Sequence, residues 1–144
     1  MNTGVIKTSL TSLGAACLLQ FILHQIQSDF VFTFLKANIT NLQVALLAVN
    51  TATLGIVLTK IRELIDKTGE KSAFDSTRNE MLLSIKEQIA LTGTSLFIIA
   101  IESAKSFPIQ IPSDVFQATL IASFIYSISV LYDTAKSVFV ILDY

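Results

Sequence analysis

Between Lys36 and Lys60 runs ANITNLQVALLAVNTATLGIVLT, residues 37–59, twenty-three positions without a charged side chain. At ~1.5 Å per helical residue, such a stretch crosses a hydrocarbon core of about 30 Å. Near its middle stands Asn50. Hydrocarbon offers an amide no partner, so this span belongs to a bundle rather than to a lone anchor.

Three further uncharged windows flank it: residues 8–28, 88–101 and 115–132. The third of the four windows has only fourteen positions, too few to span, which puts Glu102 inside the apolar slab or at its edge. The chain is 52% hydrophobic and 15% charged, against roughly 25% charged in a soluble domain. The expectation is a single-domain, all-α integral membrane protein, residues 1–144, with four transmembrane helices at about 8–27, 39–59, 88–105 and 114–133.

Basic residues set the orientation. With the N-terminus inside, Lys7, Lys60, Arg62, Lys67, Lys71, Arg78, Lys86 and Lys136 share one side, while Lys36 and Lys105 face the other. That bias predicts both termini in the cytoplasm and a bacterial inner-membrane location. The apolar stripe of the second helix continues past Lys60 through Ile61, Leu64 and Ile65, and Gly69 supplies a left-handed C-cap. Thr77 and Glu80 fit a capping box opening the third helix. Helices two and three are thus expected to extend into a cytoplasmic hairpin at residues 60–86. Phe30, Phe32 and Phe34, ahead of Lys36, read as an interfacial or re-entrant piece.

Each span carries polar residues near heptad spacing, which share one helix face. The candidates are Gln20 and His24, Gln43 and Asn50, then Gln88, Ser95 and Glu102, and finally Thr119, Tyr126 and Asp133. His24, Gln43, Glu102 and Thr119 are expected towards the outer side. Asn50, Ser95 and Tyr126 fall near the midplane, with Gln88 and Asp133 at the inner edge. Ser95 is the first-choice partner for Asn50, Tyr126 the second, and an Asn50 of a neighbouring subunit the third. Two readings of this seam stand side by side: hydrogen-bonded glue between helices, or a water-lined path. Ala48, Ala52, Gly55, Ala118 and Ala122 are small enough for the close approach that glue needs. Glu102 has two candidate partners, His24 in a proton relay or Lys105 at the interface.

Several classes are excluded. One cysteine, Cys17, leaves no paired-thiol chemistry, and one histidine leaves no multi-histidine metal site. A net charge of −1 suggests no nucleic-acid partner. No nucleophile elbow, phosphate-cradling loop or metal-ligand pair appears, so no catalytic residue, cofactor or metal is expected. A cleaved leader is not expected, because the apolar run after Lys7 lacks an A-x-A site. Asn38-Ile39-Thr40 matches a glycosylation pattern but lies against the membrane. Small multidrug exporters also have four spans, but they rely on a carboxylate in the first, which this chain lacks.

The leading functional expectation is a non-enzymatic, homo-oligomeric, channel- or pore-like effector, surrounded by lipid and engaged through its cytoplasmic hairpin. Holin-like toxins and effectors of bacterial antiviral defence are small, site-poor membrane proteins of this kind. The alternatives are a sensor or scaffold recruiting a soluble partner at residues 60–86, and a small-solute or proton-coupled carrier using Glu102 and His24.

Overall fold

A computed structural model describes residues 3–69, 74–104 and 112–142. Four helices follow in order: α1 Thr3–Gln25, α2 Phe30–Thr68, α3 Asp75–Ser103 and α4 Ser113–Leu142. Each is long and apolar enough to cross a membrane. α4 is the centre, packing on α1, α2 and α3, while α2 and α3 also pack on each other.

The aromatic stretch before Lys36 is not a separate re-entrant piece. α2 begins at Phe30 and runs unbroken to Thr68, because no proline interrupts it. Phe30 and Phe34, one turn apart, stack at 6.2 Å, and Phe32 lies under the Lys36 ammonium at 5.7 Å. The turn before α2 is tight. Gln27 takes a left-handed φ of 53°, and its N–H bonds the His24 carbonyl at 3.2 Å.

α2 ends as its sequence predicts. Gly69 has φ 73°, and its N–H donates to the Ile65 carbonyl at 2.8 Å. Glycine carries no Cβ penalty in that region. The capping box is not formed: α3 starts at Asp75, two residues before Thr77, so Thr77 already lies within the first turn.

Two apolar clusters clamp the bundle. One joins Leu54, Val57, Ile61 and Met81, with Leu64, Phe74 and Val138 against them, and so ties the far end of α2 to α3 and α4. The other joins Ala16, Leu35, Ile121 and Ala122, and so ties α1 and α2 to α4. The apolar side of residues 61–65 is therefore spent inside the chain.

Candidate functional site

The polar residues of α2 and α3 form rungs, and Gly69 sets their register. Asn50 and Gln88 lie nineteen residues on either side of Gly69, Gln43 and Ser95 twenty-six, and Lys36 and Glu102 thirty-three. An antiparallel pair folded about one turn brings such positions level. Val57 and Met81, twelve residues either side, carry the same alignment into the apolar cluster.

Each rung is closed by hydrogen bonds. In the middle rung, Gln43 Nε2 donates to Ser123 Oγ at 2.9 Å and to Ser127 Oγ at 3.3 Å. The Ser95 and Ser123 hydroxyls meet at 2.8 Å. In the next rung, Asn50 Nδ2 donates to Ser84 Oγ at 2.8 Å and to Gln88 Oε1 at 3.0 Å. The Thr134 hydroxyl is spent on the Val130 carbonyl, so the Ser84 hydroxyl donates to Thr134, 3.1 Å away. Gln43, Asn50, Gln88, Ser95, Ser123, Ser127 and Thr134 are all buried. Gln43 Oε1, Asn50 Oδ1 and Gln88 Nε2 have no hydrogen-bond partner among the described residues.

Several expected pairings are overturned. Asn50 bonds Ser84 and Gln88, not Ser95 or Tyr126, whereas Ser95 shares Ser123 with Gln43. Asn50 stands near the middle of α2 and Gln88 near the middle of α3. Ser84 and Thr134, the near neighbours of Asn50, line a cleft together with Gly4, Val5 and Thr8, so its rung is level with the start of α1. Glu102 does not pair with His24: its Oε1 accepts from Lys36 Nζ at 2.7 Å. Lys105 lies outside the described residues. Lys36 lies inside α2, whose candidate span reaches back to Phe30.

The small residues also lie differently. Ala118 is half-buried and Ala122 buried, but Ala48, Ala52 and Gly55 face outwards. They extend into a stripe of Ala45, Ala48, Ala52, Gly55 and Thr59, spaced alternately by three and four and all exposed. This face lies opposite Asn50. A Cβ at Gly55 would meet nothing within 4 Å, so the chain's own packing does not require glycine there.

The remaining candidates sit at two clefts where α1 parts from the bundle. At the end where α1 begins, a cavity of about 200 Å³ holds Tyr126 and Asp133 beside Glu80 and Glu87. Tyr126 and Glu87 both line this cavity, and Tyr126 is buried. At the opposite end, where α1 turns into α2, a groove of about 760 Å³ holds Gln20, His24 and Thr119. Gln20 Nε2 donates to the Asp114 carbonyl at 2.9 Å, and Thr119 Oγ1 to its own helix at Val115. Ten candidates thus divide among the rungs, the ion pair and two clefts. Among the described residues, no group of three or more His, Cys, Asp or Glu is placed to hold a metal ion.

Ser84, Ser127 and Thr134, absent from the expected seam, carry signals that spacing could have supplied. Ser84 precedes Gln88 by four, Ser127 follows Ser123 by four, and Thr134 follows Ser127 by seven. Lys36 likewise precedes Gln43 by seven.

Fold and rungs together define a four-helix protein of membrane-spanning type with a polar interior. No family model, characterised protein or solved structure matches the chain.

Proposed function

We propose that the protein is a non-enzymatic, channel-like effector of the bacterial inner membrane, working as a homo-oligomer with both termini and the α2–α3 tip in the cytoplasm. The observation that carries the reading is the outward stripe from Ala45 to Thr59. Elsewhere the exposed surface includes bulky side chains, such as Leu18, Phe21 and Phe97. A face of alanine, glycine and threonine instead lets another helix approach closely, and such faces are enriched where membrane helices associate.

The rungs support the same division of labour. Successive rungs lie one heptad, about 10 Å, apart along the helices. No hydrogen bond joins the Gln43 rung to the Asn50 rung among the described residues. They hold one protomer in register, which leaves conduction to the space between protomers. The eight-to-two distribution of basic residues supports the orientation. The tip, with Arg62, Glu63, Asp66 and Lys67 exposed and its apolar side already packed, suits a soluble partner that reads charge.

Expression in cells loaded with a membrane-potential dye tests the reading. Wild-type chain should depolarise them, and Ala52→Leu with Gly55→Leu should abolish both depolarisation and crosslinked oligomers. A potential that stays unchanged, or an oligomer ladder indifferent to the double substitution, would overturn it.

A further inference from the structure

We propose that the groove between α1 and α4 binds a phospholipid whose headgroup ends in a primary ammonium. The proposal stands apart from the channel reading. At about 760 Å³, the groove falls within the range of ligand pockets, roughly 300–1,000 Å³.

Its lining is graded along its length. Leu13, Cys17 and Phe21, one turn apart on α1, face Ala118 on α4. Gln20 stands level with Phe21, and beyond it the lining becomes His24, Ser28 and Asp29 on one side and Asp114 on the other. From Leu13 to His24 is eleven residues, about 16 Å of helical rise. That is an acyl-chain wall leading to a headgroup rim. The Gln20 bond to the Asp114 carbonyl keeps the two helix ends level, and the left-handed turn at Gln27 sets Ser28 and Asp29 on the rim.

Charge selects the headgroup. Among the described residues, no lysine or arginine lines the groove, and neither Asp29 nor Asp114 makes an ion pair. Two carboxylates attract an ammonium and repel a headgroup that carries only phosphate. The neutral amides and hydroxyl of Gln27, Gln117 and Ser28, which also line the groove, are donors suited to the phosphate. A phosphatidylethanolamine fits both demands.

The test uses the full chain in vesicles of phosphatidylethanolamine and phosphatidylglycerol, with a phosphatidylethanolamine carrying a photoreactive group on its acyl chain. Peptide mapping should find the label concentrated on residues 13–21 and around Ala118. The matching phosphatidylglycerol probe should label them less. Asp29→Asn with Asp114→Asn should lower the phosphatidylethanolamine signal about three- to tenfold, as expected for losing two interfacial charge contacts. Both aspartates are exposed, so that variant retains the fold. Ala118→Phe, which fills the groove and keeps its charges, should lose the label as well. Equal labelling by both probes, label spread evenly over the lipid-facing surface, no response to either variant, or α1 crosslinked to a second copy in place of lipid would each overturn the proposal.

Discussion

The two contacts of α4 differ in chemistry. Against α2 and α3 it presents Ser123, Ser127 and Thr134, which close hydrogen-bonded rungs deep in the bundle. Against α1 it presents Ile121 and Ala122 to Ala16, with a polar bond near one end, from Gln20 to the Asp114 carbonyl. The first contact is specified by direction: a slip of one residue would break every bond at once. The second is specified by shape around one buried alanine, and α1 separates from the bundle at both of its ends, where the two clefts lie. Three helices thus form a register-locked unit to which α1 is attached.

The sharpest way to break that comparison is at Ala16, which has no exposed surface. Ala16→Leu should overpack the α1–α4 contact at a cost of about 1–3 kcal/mol. In a chain split at the turn after Gln25, the α1 fragment should then stop co-purifying with the rest. Retention of α1 by the split variant would show that the contact tolerates bulk and that the two halves are less different than described.

The rungs come next. Gln43→Leu and Asn50→Leu should each destabilise the α2–α3–α4 unit by about 1 kcal/mol, within the range for polar contacts between membrane helices. Detergent unfolding followed by circular dichroism measures this. A double-mutant cycle of Gln43→Leu with Ser123→Ala should give a coupling of ~0.6 kcal/mol. No coupling would mean that the 2.9 Å bond contributes packing alone.

A smaller effect is expected at the Lys36–Glu102 pair. The Lys36 and Glu102 side chains are 40% and 20% exposed, so solvent screens their 2.7 Å pair. Lys36→Met should cost at most about 1 kcal/mol. Paired substitution with Glu102→Gln should recover part of it, because Lys36→Met alone takes the ammonium from Glu102 Oε1 and leaves a part-buried carboxylate unpaired.

The smallest change to the single chain is expected from Gly55→Ala. In detergent that isolates protomers, it should be neutral or stabilising by up to ~1 kcal/mol, since glycine inside a helix is costly. Crosslinking in membranes should weaken in the same variant. Loss of stability in the isolated protomer would place Gly55 in an intramolecular contact.

Local pattern by itself determined that there are four helices, where α2 stops, and that α2 and α3 carry polar residues seven apart. Uncharged length, the Thr68-Gly69 stop and heptad spacing are properties of neighbouring residues, so they need no knowledge of the fold. The outward face of Gly55 was also legible, because five residues at about 100° each turn it well away from Asn50. The aromatic run at residues 30–34 was misread since alternation says nothing decisive about a stretch next to a charge, and Lys36 hid the continuity of α2. Only the tertiary structure decided which heptads stand level. Asn50 meets Gln88 and Lys36 meets Glu102 because α2 and α3 fold back symmetrically about Gly69. Level along a helix is set by that turn and by the neighbours packed beside it, which a charge-free window, read alone, does not show.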